Sequence, residues 1–409
     1  MVDSTSKTNR RRLRLILLCG LLVAIGGVVV RLIATGKLTE LSAARMNNEK
    51  LAQAAAAPNA SFTLVFEWGR RLEALRQYAQ SMRVYARAME IDPAKVDAWV
   101  AFGRTAFASG DWGKSETTLK KAVEQWPDNA DAHFNYATVL ASTMRIHAAR
   151  EELAAGIKLN STNPEAYRAL GNVEMRLKNA KGAVEAYRKV KELDPKAHKI
   201  QAAYGEALLD AGINAEALKE LELALKDDPS DADVRFNLGR ALAATGKEPD
   251  QVRALQEFNR VTQFSLSKSR AYVEAARLWK NTGDQENATQ SLEHAIDLDP
   301  YNIDALQMLI QNYQLGGRQA DARRFQKDLD EAQEIAKQRE SIVAKIEAGE
   351  DQAQNLVRLA RLYMKTRNIN DARAACGAAS LIDPTNAEAA QCLRDTSPKA
   401  AKSKLAPKP

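Results

Sequence analysis

The chain has 409 residues, enough for two or three ordinary domains or one long repeat array. Hydrophobic residues make up 45% but aromatics only 6%, and glycine and proline are sparse, a balance that favours helix and argues against an all-β fold. The formal charge of +7 sits on the two ends, with a slightly acidic stretch between them, which argues against a nucleic-acid-binding body.

Lys7, Arg10, Arg11, Arg12 and Arg14 make residues 1–14 basic. The run LILLCGLLVAIGGVVV follows at Leu15–Val30 and extends past Arg31 to Thr35. Its length and flank predict a transmembrane helix over 15–35, a signal anchor. The N-terminus is then cytoplasmic and the rest of this single-pass membrane protein lies on the periplasmic or extracytoplasmic side. A signal peptide cleaved at Ala34-Thr35-Gly36 or Ser42-Ala43-Ala44, and an inward-facing body, stand as alternatives. Gly20 and Ala24 form a small-xxx-small pair that offers self-association. Residues 36–61 read as a juxtamembrane polar helix and an alanine-rich linker.

From residue 62 onward the chain repeats itself. Pro93, Pro127, Pro195, Pro229 and Pro300 are spaced by 34 residues or near-multiples of 34, and each closes a helix-like run such as EIDP, ELDP or DLDP. With each repeat numbered from the third residue after the preceding proline, small residues recur at position 8, as Gly69, Gly103, Ala137, Gly171, Gly205 and Gly239. They recur at position 20, as Ser81, Ser115, Ala149, Ala183 and Ala217, while Tyr85, Leu119, Leu153, Tyr187 and Leu221 fill position 24. Two antiparallel helices cross closely at the small residues, and the larger ones fill the space beside the crossing. Proline then stops the second helix.

These residues resemble the tetratricopeptide repeat, with AWVAFGRTAFASGDWGKSETTLKKAVEQWP at Ala98–Pro127 a close match to its pattern. Nine repeats are read at 62–95, 96–129, 130–163, 164–197, 198–231, 232–268, 269–302, 303–352 and 353–386. The resemblance implies an all-α fold, a right-handed α-solenoid of about nine helix-turn-helix repeats over 62–394 with a capping helix. A basic tail at 395–409, rich in proline and lysine, is expected to be disordered.

Gly113-Lys114-Ser115 looks like the end of a phosphate loop, but Ala108 stands where such a loop needs glycine. Gly110 falls instead at the turn between two helices, and Ser115 at a close-packing position. His133, His147, His198 and His294 share no motif, no set of residues has metal-ligand spacing, and no nucleophile elbow or dinucleotide fingerprint occurs. The reading is therefore no enzyme and no cofactor. Cys376 and Cys392 read as small buried groups, with a disulfide between them left open.

What the resemblance implies is binding, along a concave groove lined by the first helices. The groove candidates are Arg104, Phe107, Phe134, Asn135, Arg168, Asn172, Phe236, Asn237, Arg240 and Arg277, with Arg358 and Arg361 further along. Asparagine can bond a peptide backbone and arginine a carboxylate, while the phenylalanines at position 5 either face a ligand or pack against the neighbouring repeat. Asn135 and Asn237 lack the flanking lysines and arginines of the carboxylate clamp that holds chaperone tails. The eighth repeat is sixteen residues too long, and its excess carries an apolar stripe of Leu329, Ile335, Ala336, Ile342, Val343 and Ile346 that either packs back on the repeats or holds a partner helix. The expected role is a scaffold or adaptor binding protein or peptide partners, in cell-envelope assembly or secretion. The alternatives are a carrier or chaperone for an extended peptide or small ligand, and an accessory subunit of a glycan-handling enzyme.

Overall fold

The computed structural model describes residues 43–197, 200–264 and 268–396. They are all-α, with no strand among them. A leading helix α1 (Asn48–Ala56) precedes nine helix pairs. The pairs are α2 (Phe62–Ala74) with α3 (Tyr78–Ile91), α4 (Val96–Ser109) with α5 (Trp112–Gln125), and α6 (Ala130–Ser142) with α7 (Ile146–Leu159). They continue as α8 (Pro164–Arg176) with α9 (Ala180–Leu193), α10 (Ile200–Asp210) with α11 (Asn214–Asp227), and α12 (Ala232–Ala243) with α13 (Glu248–Phe264). The last three are α14 (Lys268–Asn281) with α15 (Gln285–Leu298), α16 (Ile303–Leu315) with α17 (Gln319–Glu347), and α18 (Gln352–Lys365) with α19 (Ile369–Ile382). A short α20 (Ala387–Asp395) follows.

The expectation of a single-pass membrane protein is corrected. Among the described residues no helix is long and apolar enough to cross a membrane. The basic segment 1–14, the span 15–35 with Cys19 and its Gly20/Ala24 pair, His198 and all but the start of the 395–409 tail lie outside the described residues.

Several of the helices begin where an asparagine or aspartate caps them. Asn129 accepts from the Ala132 amide at 2.8 Å, and Asn163, Asp231, Asn302 and Asn386 do the same for their own helices. Each satisfies an amide that the helix leaves without an internal partner. The turn inside each pair has one residue in the left-handed region, at position 15 of every repeat. Glycine fills it at Gly110, Gly212, Gly246, Gly283 and Gly317, whereas Arg76, Met144, Lys178 and Arg367 take it elsewhere.

The small residues do what the spacing predicts. A Cβ on Gly103 would sit 2.4 Å from Leu119, and one on Gly171 would sit 2.4 Å from Tyr187, so only glycine lets the two helices approach. Ser81 and Ser115 add a hydroxyl bond to the carbonyls of Gly69 (2.8 Å) and Gly103 (2.7 Å) across the same crossing. Ser115 is thus a buried helix-pairing residue. The third repeat reverses the device, with Gly156 on the second helix receiving the Phe134 ring.

The chain divides into two compact units, residues 1–122 and 123–409. In the first, Tyr85, Leu72 and Leu119 are fully buried, and α1 is docked by side chains of the next two helices. Arg71 donates to the carbonyls of Ala43, Ala44 and Met46, and Arg87 to those of Ala55 and Ala57. The alanine stretch read as a linker is therefore helical at its start and tied down. In the second unit one core runs from Ala183 to Leu278 and another from Val273 to Ala332. A disulfide between Cys376 and Cys392, Cα atoms 5.6 Å apart, joins α19 to α20.

Candidate partner-binding face

Every first helix presents the same register positions, so side chains at positions 2, 5, 6, 9, 12 and 13 recur along one face of each unit. The structure places the ten groove candidates in three kinds of surroundings.

Phe236 and Asn237 are buried, at 2% and 6% exposure. The Phe236 ring lies 5.9 Å from that of Phe258, and the Arg270 guanidinium covers it at 4.6 Å. Phe236 therefore packs as core, contrary to the expectation that its ring faces a ligand; the reason is that its helix pairs closely with α13 through Gly239. Phe134 is half-buried with its ring over Gly156, and Phe107 stacks on Trp112 at 5.1 Å. Both serve their own repeats.

The second group is the arginines at position 9. Arg104 holds Glu73 through two hydrogen bonds of 2.8 Å. Arg240 reaches Asp210 at 2.9 Å, Arg277 reaches Asp304 at 3.0 Å and Arg361 reaches Glu388 at 2.9 Å. In each case the acid belongs to the neighbouring first helix, at position 12 or 13 of the preceding repeat or position 2 of the following one. The expectation that these arginines are open to a partner's carboxylate leaves out the internal acids that they already hold. The signal was present: cation and acid stand 27 to 31 residues apart, one or two helical turns short of the 34-residue period.

Two acids on this face are shifted, in opposite directions, according to whether an arginine bonds them. Burial works to raise the Glu73 carboxyl, but the hydrogen bonds and charge of Arg104, helped by Tyr85, hold it below the ordinary carboxylate range. Glu206, at position 9 of the fifth repeat, has no such bond. Burial and the nearby charge of Asp210 push its pKa up despite Arg270 and Arg240.

In the third group Arg168 and Asn172 are exposed and Asn135 is half-buried. Arg168 pairs only within its own helix, with Glu165, and Asn172 accepts from the Tyr187 hydroxyl at 2.7 Å. Asn135 donates to the Asp131 carbonyl at 2.7 Å. Arg358 donates to Asn355 at 3.3 Å. The apolar stripe of α17 packs back on the repeats, with Leu329, Ile335 and Ile346 buried. His133 is also buried, held between Glu152 at 2.6 Å and the Pro127 carbonyl at 2.9 Å. Among the described residues no group of histidine, cysteine, aspartate and glutamate could hold a metal ion.

Family models of the tetratricopeptide repeat match residues 106–173, 203–262 and, as single repeats, 164–197 and 269–302. The matched segments are tetratricopeptide repeats. The repeats are 26% identical over 165 residues to anaphase-promoting complex subunit 3 of Schizosaccharomyces pombe, covering 40% of this chain and 25% of that protein. They are 26% identical over 197 residues to the type IV pilus assembly protein PilF of Pseudomonas aeruginosa, covering 47% of this chain and 76% of that one. The chain thus spans a quarter of the yeast relative's length. Among solved structures, YrrB, described as a tetratricopeptide-repeat protein with an unusual peptide-binding site, shows 25% identity and a TM-score of 0.38, covering 46% of this chain and 96% of that one. Proteins of this repeat family bind protein or peptide partners and are generally non-catalytic scaffolds.

Proposed function

We propose that the chain is a protein-binding scaffold that seats a partner segment on its first-helix faces while a larger apparatus is put together. The observation that carries this reading is the row of arginine–carboxylate pairs between adjacent first helices, in which Arg104, Arg277 and Arg361 are exposed and Arg240 is half-buried. Each pair keeps a bidentate-capable cation oriented at the surface, yet a solvent-exposed pair contributes only about 0–1 kcal/mol. A partner's carboxylates and backbone carbonyls can therefore replace the internal acid at little cost. The relatives named for pilus assembly and for the anaphase-promoting complex support assembly as the setting. We place this protein in cell-envelope assembly or secretion as the narrower proposal, on the likeness to PilF.

The test is photo-crosslinking in the cells that make the protein, from reactive residues at Arg168 and Asn172. One recurrent protein product, lost when Arg277→Glu and Arg240→Glu are added to a chain that keeps its helical circular dichroism, is the expected result. Products confined to the chain itself would overturn the reading.

A further inference from the structure

In a solenoid each repeat touches only its neighbours. The second unit departs from that rule most widely where the eighth repeat meets the third. Helix α17 has 29 residues, where the other second helices of this unit have 14 or 17. It overshoots its repeat by roughly 20 Å at 1.5 Å per residue. Its far end meets the third and fourth repeats, 200 residues earlier in the chain. The Glu347 carboxylate accepts from the Ile146 amide at 2.5 Å and from the His147 amide at 3.3 and 3.4 Å. These are orphan donors at the start of α7, whose own N-cap residue, Arg145, makes no side-chain cap. Ile346 beside Glu347 is fully buried. Arg176, in the last turn of α8, donates to the Ala141 carbonyl at 2.7 Å and faces the charges of Glu347, Tyr363 and Asp371. Its guanidinium is desolvated there although the residue as a whole stays exposed.

We propose that the end of α17 is a clasp. Glu347 caps a helix that belongs to a distant repeat, and so fixes how far the third and fourth repeats stand from the eighth and ninth. The capping carboxylate also sits where the partial positive charge of the α7 N-terminus is strongest. With the clasp closed the first-helix faces of this unit hold one spacing. With it open the repeats between α7 and α17 are free to stretch as a spring does. The sixteen extra residues of the eighth repeat are then the length needed to reach, rather than a loop tolerated at the surface.

The test uses the full chain without any partner. Hydrogen exchange is followed over the first turn of α7, and the radius of gyration by small-angle scattering, for the parent and for Glu347→Ala and Glu347→Gln. In the alanine variant, exchange at Ile146 and His147 should rise about 3- to 30-fold, as expected for a lost N-cap, and the particle should expand. Exchange in α10 and α11 should not change, and glutamine, whose carbonyl still accepts, should restore part of the protection. Unchanged exchange and scattering in the alanine variant would overturn the clasp. So would a uniform rise through α10 and α11, because that would make Glu347 a general determinant of folding.

Discussion

Position 15 of the repeat shows how one backbone conformation is bought by different side chains. The left-handed turn recurs in all nine pairs, yet only five repeats put glycine there. A non-glycine residue in that region carries a steric cost of roughly 1–2 kcal/mol, because its Cβ crowds the backbone carbonyl. Lys178 is exposed, with φ at 60°. Lys178→Gly should therefore raise the thermal midpoint through a gain in stability of about 0.5–1 kcal/mol once glycine's greater unfolded-state freedom is subtracted. The mirror change, Gly212→Ala, should lower stability by about 1 kcal/mol, since nothing crowds the site but φ is 78°. Calorimetry on both variants checks the pair. Equal midpoints would mean that the turn relaxes around its residue.

Between elements, the arginine–carboxylate pairs hold neighbouring first helices in register. Glu73 and Arg104 form the best-aligned of these, and the Glu73 carboxyl lies below its ordinary range in the folded chain. A depressed folded value means that the pair stabilises above the unfolded carboxylate pKa. That contribution is lost as pH falls through the lowered folded value. Glu73→Gln should accordingly flatten the acid limb of a urea-midpoint-against-pH profile. At neutral pH it should cost no more than about 1 kcal/mol, because Arg104 is nearly half exposed. A parallel acid limb in parent and variant would show that the pair is not formed in solution.

On the scale of the molecule, closure is what the second unit adds to a stack of repeats. The Glu347 clasp is one such closure and the Cys376–Cys392 bond is another, tying the last full repeat to α20. Both cysteines are buried, and the bond spans 16 residues of sequence. A loop of that size is worth about 3 kcal/mol through the entropy it removes from the unfolded chain. Reduction, or Cys376→Ser with Cys392→Ser, should thus lower the thermal midpoint, with fraying that starts at α20. Limited proteolysis with and without reductant reads this directly. Indifference to reductant would mean that α20 is held by packing alone.

The period, the number of repeats and the helix pairs were legible in the sequence by itself. Gly103 with Leu119, and Gly171 with Tyr187, are local and periodic, and a close helix crossing tolerates few other residues. Glycine at turns and proline after second helices mark boundaries for equally local reasons. The candidate face was legible in position but not in state. Whether Arg240 is open or already joined to Asp210 depends on how one repeat leans on the next, and Phe236 became core because α13 came close enough to cover it. The disulfide and the clasp lay further beyond reach. Cys376 and Cys392 face each other only because α20 folds back on α19, and Glu347 meets Ile146 across 200 residues. Such contacts are set by small rotations accumulated repeat upon repeat, which no single repeat encodes.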